Sequence, residues 1–341
     1  MTCKEEYLII QINHSHAGLF AYVNFAINQI IYAEKNDLIP VVYFGPQSGD
    51  GPNAYYDKQY GENTWDYYFQ PVADITHTQL LEKISTQDAD STIPTCTSLS
   101  TGQLWRLHCK ELDSVYLYPH GRYKDDQVDD SWYQLQRAKA QRVIQQYIRV
   151  KPHIQDKVEQ FKTRFFGADG VLGIHLRGTD KGTANAHPAL MRIIRPEQYF
   201  PHIDHYLNLH ADSKIFVATD QQQFQTQIVA RYGARVISTD SIRAAGLRSV
   251  FEKHDGHGYQ KGEEVLIDSL LLSQCDFLLK CTSAVGEFAH YFNPMLTGID
   301  LNHIHYRDSM RTKLSVNLKR KLHLSMIKPI YAKIKRSTHN S

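Results

Sequence analysis

The sequence predicts an α/β protein built from two Rossmann-like units that face a cleft. Its 341 residues exceed one ordinary domain and suit two. In both halves, short apolar runs of strand length alternate with longer amphipathic segments, which is the pattern of parallel sheets with crossover helices. The composition, with 42% apolar and 22% charged residues, is that of a globular protein with a sizeable core.

The first half begins with a strand–helix–strand unit. Residues 7–12 (YLIIQI) predict a strand, a polar loop follows at 13–18, and the pattern then predicts a helix at 20–35 and a strand at 40–44. Two parallel strands joined by a helix are the start of a doubly wound sheet. Two further helices, at 131–149 and 152–166, connect this half to the next.

The second half repeats the alternation and begins at the apolar run 171–176. The segment 256–262 is glycine-rich and predicts a loop. Further elements are predicted as helices at 196–209, 222–232, 263–273 and 283–291, and as strands at 214–218, 235–237 and 276–280. We therefore expect one Rossmann-like domain at 1–150, a second at 151–306 and a C-terminal tail at 307–341.

The net charge of +2 is unevenly distributed along the chain. The tail carries ten Lys/Arg and one Asp among apolar residues, so the net charge of the first 306 residues is about −7. Such a segment is typical either of peripheral contact with an anionic membrane surface or of a terminal helix that packs on the body. The acidic body, without a nucleic-acid-binding module, argues against a nucleic-acid partner.

Cysteine use and the N-terminal sequence predict a cytoplasmic protein. The five cysteines show no CxxC spacing, which argues against a zinc site or a disulfide framework and fits a reducing compartment. The charged first residues, followed by a short apolar run, are not typical of a signal peptide. No apolar run reaches the roughly 18 residues that a membrane span requires.

Three polar clusters follow predicted strands of the second half. Because ligands of open parallel sheets bind at the carboxyl ends of the strands, we expect these clusters to converge. An arginine and a helix N-terminus with hydroxyl side chains are typical partners of a diphosphate. For any single residue the alternative is a structural role, such as a salt bridge. The clusters are His175, Arg177, Asp180 and Lys181; Thr219 and Asp220; and Lys280, Thr282 and Ser283.

The same three stretches resemble the fucosyltransferases, in particular the α-1,6-fucosyltransferases and the bacterial nodulation fucosyltransferases. They read GIHLRGTDKG, VATDQQQF and LIDSLLLSQCDFLLKCTSAVGEFAHYFNP, and the resemblance covers roughly residues 171–294. It implies a GT-B fold, with the donor sugar nucleotide in the C-terminal domain and the acceptor at the N-terminal domain.

The resemblance also implies roles for individual residues. Arg177 would contact the donor pyrophosphate, His175 and Asp268 would hold guanine, and Thr282 and Ser283 would lie near the phosphates. The implied reaction needs neither a metal nor another cofactor, and it converts the β-linked fucose of GDP-fucose to an α-linkage with inversion. Asp220, at the end of its strand, is a further candidate for donor binding.

The sequence departs from the family pattern at two positions. The α-1,6 enzymes place a second arginine directly after the first, and here that position is Gly178. Their proposed base is a glutamate shortly after the lysine, whereas this chain continues KGTANAHP without a carboxylate.

An inverting transfer requires a base for the acceptor proton and a counter-charge for the departing diphosphate. Arg177 and Lys181 suit the second role. Asp180 is the candidate base, and His16 or His187 are alternatives.

These observations predict an inverting glycosyltransferase that transfers fucose from GDP-fucose to a hydroxyl of a glycan. We expect a glycan or lipid-linked oligosaccharide acceptor in surface polysaccharide synthesis, with the tail as the candidate membrane contact. One alternative is a glycosyltransferase with a different nucleotide-sugar donor. The other is a non-catalytic protein that binds sugar nucleotides or glycans, and turnover of the donor would distinguish it.

Overall fold

The structure is a computed structural model that describes the greater part of the chain. The described residues are 5–12, 17–48, 51–86, 95–100, 103–104, 107, 114–117, 123–124, 127–128, 130–179, 193–246, 250 and 256–304.

The first half contains a parallel sheet of three strands in the order β2–β1–β5. Helix α1 crosses between β1 and β2, and its apolar side chains form much of the core around Phe20, Tyr22 and Ile27. The elements of this half are β1 (Glu6–Ile10), α1 (Leu19–Lys35), β2 (Ile39–Val42), β3 (Gln47–Ser48), β4 (Gly51–Pro52), α2 (Trp65–Tyr68), α3 (His77–Ser85) and β5 (Thr95–Thr97).

Two long helices lead from the first sheet to the second. They are preceded by a short antiparallel pair. Pro152 occupies the first turn of the second helix, where a missing N–H costs no hydrogen bond. The elements are β6 (Tyr123–Lys124), β7 (Gln127–Val128), α4 (Asp130–Tyr147) and α5 (Pro152–Phe165).

The second half contains a parallel five-stranded sheet in the order β10–β9–β8–β11–β12. The chain starts at β8, builds one side of the sheet and then crosses to β11, so the order reverses between β8 and β11. Such a reversal opens a crevice at the carboxyl ends of the strands. The elements are β8 (Val171–Leu176), α6 (Pro196–Leu209), β9 (Lys214–Thr219), α7 (Gln222–Tyr232), β10 (Val236–Ile237), α8 (Gly258–Ser273), β11 (Phe277–Lys280), α9 (Ala284–Phe292), β12 (Thr297–Asp300) and α10 (Leu301–Ile304).

The predicted fold class of two Rossmann-like units is confirmed, and several elements have the expected bounds. The strand at 171–176 and the helices at 196–209 and 222–232 are observed without change. The expected loop at 256–262 is wrong, because α8 already begins at Gly258. The domain boundary at residue 150 stays a prediction, since α4, on its N-terminal side, packs against α9 of the second unit.

The early start of α8 follows from its contact with the first half. The fully buried Tyr68 donates its hydroxyl to the carbonyl oxygen of Tyr259 at 3.0 Å. A Cβ at position 262 would lie 2.1 Å from this hydroxyl, so Gly262 is required for the close approach. Glycine costs about 1 kcal/mol in a helix interior. The packing of Tyr68 between the two halves offsets that cost.

A buried cluster of charges lies under the carboxyl end of β11. The amino group of Lys280 lies 2.7 Å from Asp300 and 3.0 Å from Glu287. The Nε of Arg137, on α4, lies 2.7 Å from the other oxygen of Glu287. Burial alone would raise the pKa of Glu287, but Lys280 and Arg137 outweigh it and hold this pKa far below its ordinary value. The cluster therefore ties α4 to the second sheet by charge.

We expect Glu287→Gln to lower the free energy of unfolding by about 3–5 kcal/mol at neutral pH, because Arg137 would lose its buried counter-charge. The stabilisation from Glu287 is complete above its unfolded-state pKa of about 4.3 and is lost as the pH falls towards the lower folded-state pKa. The decline of stability below that pH should consequently be shallower in the variant. Chemical denaturation at a series of pH values measures both effects.

The matched control is Glu34→Gln. Glu34 also pairs with an arginine of α4, Arg142, at 2.6 Å, but at the surface. An exposed pair contributes at most about 1 kcal/mol. An equal loss of unfolding free energy in Glu287→Gln and Glu34→Gln would contradict the stabilising role of the buried cluster.

Candidate functional site

A cleft of about 600 Å³, open solvent included, lies at the carboxyl ends of β8 and β9. Tyr55 from the first half contributes to its wall, whereas the other lining residues come from the second half. The two units therefore face a common cleft, as the fold class predicted. Four of the predicted site residues line it: His175, Arg177, Asp220 and Asp268.

Asp220 shapes the chain segment that follows β8. One carboxylate oxygen lies 3.0 Å from Nε of Arg177 and accepts a hydrogen bond from the Thr179 hydroxyl at 2.5 Å. The other oxygen accepts from the backbone N–H of Gly178 at 2.9 Å. Asp220 thus orients the arginine and fixes the backbone beside it, so the structure gives it a positioning role towards Arg177.

A side chain at position 178 would require neighbouring side chains to shift. A Cβ at this position would lie 2.1 Å from Oε1 of Gln221 and 2.7 Å from the ring of Phe224. Gln221 is buried at the end of β9, and its Oε1 has no hydrogen-bond partner among the described residues. The Gln221 side chain therefore fills the space that a larger residue at 178 would need.

His175 lies at the floor of the cleft, in β8 and two residues before Arg177. Its backbone carbonyl accepts from the Tyr199 hydroxyl at 2.8 Å, and its Nδ1 lies 4.0 Å from the Cys281 thiol. A Cβ at Gly286 would lie 3.2 Å from the same Nδ1. Tyr199 thus holds the backbone of His175, and the imidazole lies close to Cys281 and Gly286; it is buried apart from its side towards the cleft.

Asp268 lies on α8 and is also buried. Burial raises the pKa of this carboxyl to about 6, against the opposing effect of a 2.6 Å hydrogen bond from the Thr239 hydroxyl. Thr239 belongs to the segment that follows β10. Arg243 of this segment donates to the carbonyl oxygens of Thr239 and Ser241 at 2.7 and 3.0 Å. The segment therefore presents a compact polar surface beside Asp268.

Thr282 and Ser283 lie at the end of β11 but are not among the residues that line the cleft. The Thr282 hydroxyl donates to Asp300 at 2.9 Å, and its N–H donates to Asn302 at 2.8 Å. Ser283 is the N-cap of α9. Both side chains are buried. Their expected contact with phosphates stays a prediction.

The remaining predicted site residues lie outside the described part of the chain. These are Asp180, Lys181, His16 and the alternative base His187. The roles expected for them, including that of the general base, stay predictions.

Several residues of the cleft were not predicted from the sequence. Lys261, Glu264 and Val265 share one face of α8 with Asp268, at the spacing i, i+3, i+4, i+7. Counting back from Asp268 with this spacing would have identified the three residues if the helix had been predicted to begin before residue 261. Tyr55 had no such signal, because it reaches the cleft from the other half of the chain.

The described residues include no group of three or more His, Cys, Asp or Glu side chains placed to hold a metal ion. In the same part of the chain, no helix has the length and apolar character needed to cross a membrane.

Comparison with known proteins supports the resemblance inferred from the motifs. Residues 140–290, from α4 to α9, match the model of the family alpha-(1,6)-fucosyltransferase N- and catalytic domains. This span contains all four predicted residues that line the cleft. The fold of two Rossmann-like units and this match define the class of protein as a glycosyltransferase. Over these residues, the resemblance to the fucosyltransferases that the motifs implied is confirmed.

Several solved structures are similar to this chain at low sequence identity. One is fucosyltransferase NodZ from Bradyrhizobium, with 16% identity and a TM-score of 0.49, covering 86% of this chain and 94% of that one. A second is the apo-form of POFUT1, with 9% identity and a TM-score of 0.49, covering 88% of this chain and 99% of that one. Another NodZ structure, with 14% identity, a TM-score of 0.48 and coverage of 85% and 94%, was soaked with GDP-fucose.

We expect Gly178→Ala to lower the free energy of unfolding by about 1–3 kcal/mol, because the added methyl group overlaps Gln221. Combining it with Gln221→Ala should recover part of this loss, and a double-mutant cycle by chemical denaturation measures the coupling. Gly246→Ala is the control: a Cβ there meets nothing within 4 Å, so its effect should stay within about 0.5 kcal/mol. Additive losses at 178 and 221 would contradict the packing explanation.

Proposed function

We propose that the protein is an inverting glycosyltransferase that transfers fucose from GDP-fucose to a hydroxyl of a glycan. The single observation that carries this proposal is the convergence of His175, Arg177 and Asp268 in one cleft, within the span that matches the fucosyltransferase model. The donor sugar nucleotide is the proposed co-substrate, and the chemistry requires no other cofactor.

The cleft offers suitable partners for each part of the donor. In this proposal, Asp268 and His175 hydrogen-bond the edge of guanine, and the base rests beside the 239–244 segment. Arg177, oriented through Nε by Asp220, can direct its terminal nitrogens to the diphosphate. A permanently charged guanidinium suits this role because it compensates the negative charge that grows on the departing diphosphate.

In the proposed reaction, the acceptor oxygen attacks C1 of fucose on the face opposite the diphosphate. The new C–O bond forms as the bond between C1 and the diphosphate oxygen breaks, and the electron pair of the broken bond leaves with GDP. The proton of the acceptor hydroxyl passes to a base. Asp180 is the proposed base, with His16 or His187 as alternatives, and Lys181 is a proposed second counter-charge.

The proposed acceptor is a glycan or a lipid-linked oligosaccharide of surface polysaccharide synthesis, processed in the cytoplasm. Its support is the tail at 307–341, whose ten Lys/Arg alternate with apolar residues. Lys and Arg near an anionic membrane surface contribute about 1 kcal/mol each, so such a tail can hold the enzyme beside a lipid-bound acceptor.

We expect calorimetric titration to show GDP binding in preference to UDP and CMP. Arg177→Ala should weaken GDP binding by about 2–3 kcal/mol, because charge-assisted hydrogen bonds to the diphosphate are lost. Arg231→Ala is the control, since Arg231 pairs with Asp204 at 2.6 Å on the surface of the same unit and does not line the cleft.

The outcomes separate the proposal from its alternatives. Preference for UDP, irrespective of Arg177, would point to a transferase with another donor. GDP binding without consumption of GDP-fucose across a panel of glycan acceptors would indicate a non-catalytic binding protein. Release of GDP together with an α-fucosylated product would establish the proposed reaction.

The membrane contact has a separate test. Deletion of residues 310–341 should abolish sedimentation with vesicles that contain anionic lipid, while turnover of a water-soluble acceptor continues. Vesicles of neutral lipid provide the control, because the proposed attraction is electrostatic. Undiminished vesicle binding after the deletion would rule out the tail as the contact.

A further inference from the structure

Lys261 is a buried cation in the wall of the cleft. It lies on α8 with 5% of its surface exposed and shares the cleft-facing side of the helix with Glu264 and Asp268. No role for this residue was predicted from the sequence, and the function proposed above does not use it.

In the described wall of the cleft, carboxyl groups outnumber cations. Among the described lining residues, Arg177 and Lys261 carry the positive charge, and Asp220, Glu264 and Asp268 carry carboxyl groups. Asp220 already balances Arg177 at 3.0 Å. A single arginine so paired cannot offset two phosphate groups, because the guanidinium carries one charge.

Within the described residues, the segment after β8 holds no second cation next to Arg177, because position 178 is a glycine packed against the side chains of Gln221 and Phe224. Lys181, the counter-charge proposed above, follows outside the described residues. A further charge can reach the phosphates from α8, which carries Lys261 on the side that faces the cleft.

The place of Lys261 along α8 suits the phosphates better than the base. It lies seven residues before Asp268, which is about 10 Å along the helix axis. Asp268 adjoins the polar segment that starts at Thr239. Lys261, by contrast, is one turn from Gly258, where a Cβ would lie 2.6 Å from the backbone of the first unit at Tyr56. A nucleotide with its base at Asp268 would extend its phosphates towards this end.

We propose that Lys261 is a further phosphate-binding cation of the cleft, acting on the diphosphate together with Arg177. The inference rests on the proposed donor site, because it takes Asp268 as the end that holds the base. It assigns recognition of the diphosphate to two elements, the end of β8 and the first turns of α8, rather than to one loop.

The test is calorimetric titration of Lys261→Met with GDP and with guanosine. Methionine keeps the length of the side chain and removes the charge, so GDP binding should weaken about ten- to hundredfold. Guanosine binding should not change, because guanosine lacks the phosphates. Retained guanosine binding also shows that the variant has kept its cleft.

Lys157→Met is the matched control. Lys157 lies on α5 and pairs at 2.7 Å with Glu263, on the opposite side of α8, outside the cleft. Both ligands should bind this variant as they bind the unaltered protein.

Each remaining outcome counts against one proposal in particular. Equal loss of GDP and guanosine binding in Lys261→Met, or no loss of either, would overturn the role of Lys261 and leave the donor site standing if Arg177→Ala still weakens GDP. If the unaltered protein prefers UDP, the same pair of titrations with UDP and uridine tests the lysine. A loss confined to UDP would then support Lys261 while the GDP-fucose assignment fails.

Discussion

The ion pairs of Lys280 are the interaction on which the architecture of the second unit depends. This lysine ends the strand beside β8 and is buried between Asp300 of β12 and Glu287 of α9, with Arg137 of α4 completing the group. Buried charges tolerate little displacement, because each loses its compensation when it moves. The cluster consequently fixes the edge of the sheet, the helix that follows β11 and the long helix from the first half in one arrangement.

Helix α8 connects the packing of the two units with the wall of the cleft. One face packs against the first unit, where Tyr68 lies over Gly262 and Tyr60 stacks on Tyr259 with ring centroids 3.7 Å apart. The other face carries Lys261, Glu264 and Asp268 towards the cleft. Glu264 adds a further constraint, since it accepts the backbone N–H of Ile242 at 2.7 Å. The position of the first unit and the shape of the cleft are thus linked through a single helix.

The sequence was informative where one residue pattern has one physical cause. Alternation of apolar runs located the strands, and the rule that ligands bind at strand ends brought His175, Arg177 and Asp220 to the same place. It was uninformative where a partner from a distant segment decides the outcome. The three glycines of 256–262 indicated a loop, yet Gly262 is helical because Tyr68 needs the space. The hydroxyl of Thr282 donates to Asp300, a residue of the unpredicted strand β12, and its expected contact with phosphates stays a prediction. The four residues of β12 are too few to give a pattern of their own.

The contact between Gly178 and Gln221 also constrains how this cleft could have diverged. The backbone at 178 is held by Asp220, so a side chain added there is accommodated by movement of its neighbours. Positions 178 and 221 are therefore sterically coupled, because a larger residue at one requires a smaller or displaced side chain at the other. Placing a charged neighbour beside Arg177 would accordingly take two coordinated substitutions rather than one.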